Sequence, residues 1–227
     1  MAPVLALLPS PLLGPVVWQP VAASLTAQGW QVVTGTVGRT GAPRTPQDVL
    51  DAFLAALPDD QELVLVPHSN AGLYVPAVAA RRRVVGCVFV DALVPPWHGR
   101  VPIASPEVLD ALRAKADVDG VLPPWTGWWA EDEVAALFPD EGVRRQVERE
   151  QQRLPLSYFE GSLAVPAGWA ERPGAYLAFG DTYARDRAEA SRRAWPVVTL
   201  PGRHLHMLVE PEQVAEQIDA LVTSSTG

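Results

Sequence analysis

The sequence predicts an α/β fold in which a mostly parallel six-stranded sheet is flanked by helices. Short apolar runs alternate with longer amphipathic runs along most of the chain, which is the order expected of βαβ units. The run at 84–90 is almost continuously apolar, as suits a strand buried on both faces. The alternation stops between 92 and 172, where prolines and five of the eight tryptophans lie, and then resumes. We therefore expect a core formed by 1–91 and 173–227, with a helical Trp/Pro-rich cap at 92–172 inserted after the fourth strand.

Each element rests on a local pattern. The six strands are expected at the apolar runs 4–8, 30–34, 63–66, 84–90, 175–179 and 197–200. Core helices are expected at the amphipathic runs 18–28, 46–57, 71–80, 184–194 and 212–222. Gly29 stops the first of these helices, and Val49, Leu50 and Phe53 share one face of the second. Within the cap, helices are expected at 106–116, 130–138 and 140–153, and no run there is a convincing strand.

Charge and cysteine content exclude several classes of function. A formal net charge of -8 argues against nucleic acid or an anionic membrane as a partner, because both require a basic surface. The single cysteine, Cys87, lies in an apolar run and is expected to be a small buried side chain. The apolar N-terminal stretch lacks basic residues and is interrupted by prolines, and no apolar run reaches the ~20 residues that span a bilayer. A cytoplasmic protein is expected, and a homodimer is compatible with the sequence.

The stretch PHSNAG, 67–72, follows the third predicted strand and contains Ser69. A serine between a strand and a helix commonly caps the helix by accepting a hydrogen bond from a backbone N–H. A nucleophile elbow is the alternative, since its tight turn needs small residues near the serine, and Ala71 and Gly72 meet that requirement. The stretch is a relaxed version of G-x-S-x-G, with Pro67 in place of the first glycine.

Serine becomes a nucleophile when a base accepts its proton and a third group orients the base. His204 and His206 follow the last predicted strand, and Asp181 and Asp186 follow the strand before it. The order serine, aspartate, histidine, each near the carboxyl end of a strand, is typical of elbow chemistry. These residues favour the elbow over the helix cap at Ser69.

The string His-Leu-His-Met-Leu-Val-Glu-Pro at 204–211 carries a resemblance to a known family. The chain resembles the α/β-hydrolase superfamily, particularly its small esterase-like branch of plant methyl esterases and hydroxynitrile lyases, in which the catalytic base lies in an H-x-x-M-L-x-x-P string. The resemblance covers nearly the whole chain and implies that His204 is the base, whereas His206 falls on a packing position. It aligns the family's aspartate with Thr182, one residue beyond Asp181. Some members of the fold instead place the acid after the strand that precedes the cap, which here gives Asp91. Our order of preference is Asp181, then Asp91, then Asp186.

The loop after the first strand departs from the family pattern. The resemblance implies a His-Gly-x sequence there, whose backbone N–H would form the oxyanion hole together with the N–H of Asn70. This chain has Pro9-Ser10-Pro11, and proline has no N–H to donate. The second donor is then expected from the Leu12 N–H or from the Ser10 hydroxyl, unless the reaction forms no full oxyanion.

The cap sequence LPPWTGWW suggests an aromatic pocket. Trp125, Trp128 and Trp129 are either core residues of the cap or lie against an apolar or aromatic small molecule. The leading hypothesis is a carboxylesterase-like serine hydrolase, without cofactor or metal, acting on a small or medium apolar ester, lactone or thioester. The alternatives are a lyase, isomerase or cyclase on the same fold, and a ligand-binding protein that has lost catalysis.

Overall fold

The computed structural model describes residues 2–37 and 41–226 and contains a six-stranded sheet in which every neighbouring pair is parallel. The strands of this sheet, in chain order, are β1 (Val4–Leu8), β2 (Val32–Thr34), β3 (Glu62–Ser69), β4 (Arg83–Ala92), β7 (Gly174–Phe179) and β8 (Val197–Leu200). Their order across the sheet is β2-β1-β3-β4-β7-β8. The predicted sheet is therefore confirmed, including the number and sequence position of its strands.

The burial of the central strands explains why the sequence predicts them. Every residue of β1 and β7 is buried, and β3 and β4 are buried along almost their entire length. Cys87 pairs with Leu65 in the centre of the sheet, and burial raises the pKa of its thiol to about 12. Cys87 is thus the small buried side chain that the sequence predicts.

Helices flank the sheet and connect its strands. In the core they are α1 (Gln19–Ala27), α2 (Pro46–Ala56), α3 (Val75–Ala79), α8 (Ala184–Arg192), α9 (His206–Val209) and α10 (Pro211–Thr226). Helix α2 begins with a capping box, in which the Thr45 hydroxyl accepts from the Asp48 N–H and the Asp48 carboxylate accepts from the Thr45 N–H. Helix α10 packs against α1 and contacts β4 and β7. In the described parts of the chain, no helix has both the length and the apolar character needed to cross a bilayer.

The segment between β4 and β7 differs from its expected all-helical composition. It contains the helices α4 (Pro106–Arg113), α5 (Glu131–Ala135), α6 (Glu141–Glu150) and α7 (Leu156–Phe159), but also two short strands, β5 (Gly99–Pro102) and β6 (Ser162–Val165). These strands form an antiparallel ribbon that joins the beginning of the segment to its end. The expectation of no strand here is wrong, because β5 is largely exposed and carries none of the apolar pattern that marked the core strands.

Candidate active site

Ser69 is the last residue of β3, and its backbone is strained. Its φ is 58° and its ψ is -130°, a region that costs a residue other than glycine free energy and is found mostly at functional sites. A short 3₁₀ helix, Asn70–Tyr74, begins directly after it, and the Ser69 side chain caps none of its N–H groups. The structure therefore does not support the helix-cap interpretation of Ser69.

Gly72 allows the helix after Ser69 to lie against the end of β4. A Cβ atom built on Gly72 would lie 2.0 Å from the carbonyl oxygen of Leu93, so no other residue fits without moving backbone. In the opposite direction, the Leu93 N–H donates to the Ser69 carbonyl oxygen at 3.1 Å. The turn at Ser69 is therefore held in place by the backbone that follows β4.

His204 lies between β8 and α9, and its partner is Asp91 at the end of β4. The Nδ1–H of His204 donates to Oδ2 of Asp91 at 2.7 Å, and the other carboxylate oxygen accepts from the Phe179 N–H at 3.1 Å. Asp91 is completely buried and has a positive φ of 41°. With Nδ1 bonded to the carboxylate, Nε2 of His204 is the nitrogen left to accept a proton on the pocket side.

The structure does not pair Asp181, the first choice of acid, with His204. Its side chain is 85% exposed and its carboxylate pairs with the Arg187 guanidinium at 2.9 Å. The tight turn after β7 directs Asp181 to solvent, whereas the end of β4 directs Asp91 inward. Asp186 accepts from the Val94 N–H at 2.7 Å, so the third candidate holds the start of the segment after β4. The sequence feature that favours Asp91 is its position within an apolar run. A carboxylate buried there requires a hydrogen-bonding partner.

Tyr183 is the residue that sequence reasoning missed. Its hydroxyl lies 3.0 Å from Ser69 Oγ, and its ring centroid lies 5.4 Å from that of His204. Burial raises the pKa of the Tyr183 phenol, which therefore keeps its proton at neutral pH. Tyr183 follows Thr182, the position that the resemblance aligned with the family's acid. No sequence motif indicated a role for a tyrosine at this position.

Of the two further buried histidines, His68 contacts His204 directly. The His68 ring stacks on the His204 ring with centroids 4.5 Å apart, and its Nε2–H donates to the His204 carbonyl oxygen at 3.0 Å. Burial lowers the pKa of His68 well below its usual value, so this ring is neutral. His206 packs against Phe179 and leaves room only for glycine at position 202, which agrees with the packing role expected for it.

A pocket of about 690 Å³ opens above Ser69 and His204. The three tryptophans expected at the ligand, Trp125, Trp128 and Trp129, all line it. Trp125 is nearly buried, and its ring centroid lies 6.1 Å from that of His204. Seven other apolar side chains also line it: Leu12, Leu93, Ile103, Ala104, Val108, Leu137 and Phe159. The pocket therefore has the size of a small-molecule site and a largely apolar and aromatic lining, to which Glu133 and Arg203 add charged groups.

The loop after β1, from which an oxyanion donor was expected, is held together by hydrogen bonds of its own. Ser10 is completely buried, and its hydroxyl oxygen accepts from the Leu12 N–H at 3.3 Å. The Ser10 carbonyl oxygen also accepts from the N–H groups of Leu13 and Gly14, which closes the loop into a compact turn. The Leu12 N–H is thus directed at Ser10, and Ser10 is not among the residues that line the pocket. Asn70, the other expected donor, lines the pocket beside Ser69.

Comparison with known proteins identifies the fold. No protein-family model matches the chain, and no curated protein matches its sequence. An extracellular α/β-hydrolase from a Paenibacillus species, described as sharing structural and functional homology with tobacco salicylic acid binding protein 2, aligns with a TM-score of 0.70 and 16% identity over 98% of this chain and 99% of its own. Tomato methylketone synthase I, solved with 2-tridecanone, aligns with a TM-score of 0.70 and 16% identity over 99% and 100% of the two chains.

A third solved structure extends the comparison to lactone chemistry. The enol-lactonase of Burkholderia xenovorans aligns with a TM-score of 0.69 and 17% identity over 98% of this chain and 92% of its own. At such identities the likeness establishes the fold. The chain has the α/β-hydrolase fold, and the plant and bacterial proteins that it resembles include both hydrolases and a ketone synthase.

Proposed function

We propose that the protein is a serine hydrolase that acts on small or medium apolar esters, lactones or thioesters. The observation that carries the proposal is the buried hydrogen bond between His204 and Asp91 beneath a pocket that also contains Ser69. Burying a carboxylate is costly, and a carboxylate on the Nδ1 side of a pocket histidine is the arrangement that activates serine nucleophiles. The strained φ of Ser69 supports the same role.

In the proposed mechanism, Ser69 Oγ attacks the substrate carbonyl carbon while its proton passes to Nε2 of His204. The electron pair of the carbonyl π bond moves to the oxygen and forms the tetrahedral oxyanion. When this pair returns, the bond to the leaving group breaks, and His204 gives its proton to the departing oxygen or sulfur. Water then repeats the sequence on the acyl-enzyme, with His204 again accepting and returning a proton, and releases the acid. Asp91 orients the histidine and stabilises its protonated form.

The pocket lining supports the substrate class. The segment 92–172 is proposed to act as a cap, because it supplies the three tryptophans and most of the apolar side chains that would surround an acyl or alcohol group. A site of about 690 Å³ accommodates an apolar molecule of moderate size. The cytoplasmic location expected from the sequence stays a prediction, which cell fractionation checks.

The test combines a covalent probe with turnover. A fluorophosphonate should modify Ser69, as located by mass spectrometry of the digested protein, and the adduct should be absent in Ser69→Ala and His204→Ala. Short and medium p-nitrophenyl esters should be hydrolysed by the wild-type protein and not by either variant. Failure of the wild-type protein to form the adduct and to hydrolyse the esters would overturn the proposal. Binding of apolar esters without turnover would then indicate the ligand-binding alternative.

A second candidate function is acid–base chemistry without an acyl-enzyme, as in a lyase, isomerase or cyclase. The observation in its favour is that Ser69 Oγ is hydrogen-bonded to the Tyr183 hydroxyl, while Pro11 supplies no backbone N–H to an oxyanion. Methylketone synthase I, which the chain resembles in fold, is by its name a synthase. Conversion of a β-keto acid or cyanohydrin that survives Ser69→Ala but not His204→Ala would favour this candidate.

A further inference from the structure

A serine hydrolase stabilises its oxyanion with at least two hydrogen-bond donors, and the described residues of this chain show one evident backbone donor. The Asn70 N–H lies at the start of a 3₁₀ helix, where backbone N–H groups have no partner within the helix. The second donor usually comes from the loop after β1, but Pro11 has no N–H and the Leu12 N–H donates to Ser10. The proposed chemistry therefore requires a donor from elsewhere in the pocket.

The side chain of Asn70 is a polar group of the pocket directly beside Ser69. Asn70 follows Ser69 directly, is only 8% exposed, and lines the pocket. Its Oδ1 accepts from the Tyr158 hydroxyl at 2.9 Å, and the Tyr158 hydroxyl lies 2.8 Å from that of Tyr74. Within the described residues, the Nδ2 group has no hydrogen-bond partner in the protein.

The two tyrosines determine which way the Asn70 amide points. If Tyr74 donates to Tyr158 and Tyr158 donates to Oδ1, every hydroxyl proton of this buried chain has an acceptor. If the amide were turned over, Nδ2 would donate to Tyr158, Tyr158 to Tyr74, and the Tyr74 proton would have no acceptor. Tyr74 is completely buried, and an unsatisfied buried donor costs about 1–3 kcal/mol. Burial also raises the pKa of both phenols, so the two protons that this chain needs are retained. The amide is therefore held with its N–H groups turned away from the tyrosines.

We propose that the Nδ2–H of Asn70 is the second oxyanion donor, and that Tyr158 and Tyr74 are positioning residues that hold it. The proposal rests on the proposed hydrolase function. When the Ser69 Oγ–carbon bond forms and the π pair moves to the carbonyl oxygen, that oxygen would accept from both the backbone N–H and the Nδ2–H of Asn70. Asparagine side chains can serve as oxyanion donors, and a donor held in advance needs no reorganisation during the reaction. A single residue would thus replace the donor that Pro11 cannot supply.

The first test replaces the donor and leaves its surroundings bonded. Asn70→Asp keeps the shape of the side chain and an acceptor for Tyr158 but has no side-chain N–H, and Asn70→Ala removes the side-chain group entirely. Both variants should lower kcat for ester hydrolysis by about 100- to 1000-fold with little change in KM. An apolar trifluoromethyl ketone, which forms an oxyanion on Ser69, should bind more weakly by a similar factor. The corresponding alcohol, which forms no oxyanion, should bind as it does to the wild-type protein.

The second test separates positioning from folding. Tyr158→Phe frees the amide to turn and should lower kcat roughly fivefold to tenfold, the effect of one lost hydrogen bond. Tyr74→Phe leaves Tyr158 able to donate to Oδ1 and should lower kcat less, although both variants lose one buried hydroxyl. Urea unfolding of each variant identifies any loss of kcat that comes from lower stability. Equal losses of kcat in the two folded variants would contradict the positioning role of Tyr158.

The outcomes distinguish the inference from the function on which it rests. If the wild-type protein hydrolyses esters and Ser69→Ala does not, while folded Asn70→Asp and Asn70→Ala keep wild-type kcat, the inference is overturned and the hydrolase proposal stands. If the wild-type protein neither hydrolyses esters nor forms a Ser69 adduct, the hydrolase proposal fails, and the inference fails with it.

Discussion

The hydroxyl groups of Ser69 and Tyr183 lie 3.0 Å apart, so the proposed nucleophile is hydrogen-bonded to a phenol in the resting structure. Attack on a substrate requires the Ser69 proton to face Nε2 of His204 instead. Because catalytic hydrogen bonds often tighten only in the substrate complex, the resting contact is compatible with a nucleophilic serine. It also makes Tyr183 a residue whose contribution can be measured.

Tyr183→Phe should change kcat/KM for ester hydrolysis by less than about tenfold, since it removes one hydrogen bond and no proton acceptor. Fluorophosphonate modification of Ser69 should persist in this variant and be lost in His204→Ala. Rates of modification measured by mass spectrometry check the prediction. A loss in Tyr183→Phe as large as that in His204→Ala would instead give the phenol a part in proton transfer.

Asp91→Asn should lower kcat by on the order of 10⁴-fold, because an amide cannot hold His204 in the required tautomer or stabilise its protonated form. Asp181→Asn is the matched control, since it makes the same change at an exposed carboxylate that pairs with Arg187. The control should keep wild-type kcat. Steady-state kinetics of the two variants decide between the carboxylates, and the reverse ranking would restore Asp181 as the acid.

Gly72→Ala should destabilise the protein by at least about 1–3 kcal/mol, because its Cβ would lie 2.0 Å from the Leu93 carbonyl oxygen and must displace backbone. Gly127→Ala is the control, since the nearest atom to its Cβ would be a Pro123 side-chain carbon at 3.4 Å. The free energy of unfolding in urea measures both variants. Equal stability of the two would show that the contact at Leu93 is relieved at little cost.

Alkaline pH should destabilise the native state through its tyrosines. Burial raises the pKa of all four: Tyr74, Tyr158, Tyr176 and Tyr183. Below about pH 10 the native and unfolded chains both keep these protons; above it the unfolded chain loses them and the native chain does not. The native state then binds more protons, so the free energy of unfolding falls as pH rises past 10.

Ultraviolet absorbance of tyrosinate, followed together with tryptophan fluorescence, measures this effect. We expect the tyrosinate signal to appear with the loss of native fluorescence rather than before it. Reversible titration of the phenols near pH 10 in a folded protein would contradict the burial described for them.

The sequence predicted those parts of the fold in which the composition of a single segment indicates how deeply that segment is buried. Strands such as β1 and β7 are buried at every residue, so their composition alone marks them. Strand β5 is different, because it is mostly exposed and forms through pairing with β6, about sixty residues later in the chain. No local sequence pattern predicts the pairing of β5 with β6.

The site divides in the same way. Ser69 and His204 lie in local strings that predict a role for each, and both residues line the pocket. The choice between Asp91 and Asp181 depended on which way each carboxylate turns at the end of its strand, and the shape of a loop decides that. The contact of Tyr183 with Ser69 depends on the same loop after β7. The hydrogen bond from the Leu12 N–H to the Ser10 hydroxyl oxygen could not be predicted from the sequence either, because it depends on the conformation of one short turn.

The junction at the end of β4 also bears on how this scaffold can be redesigned. Leu93 is hydrogen-bonded to Ser69 and packed on Gly72, and the next residue, Val94, is bonded to Asp186. A chimaera that exchanges the cap for another to change substrate range must therefore splice after Val94. Splicing earlier would disturb the backbone that holds Ser69, the proposed nucleophile, whereas the paired strands β5 and β6 offer a pair of graft points.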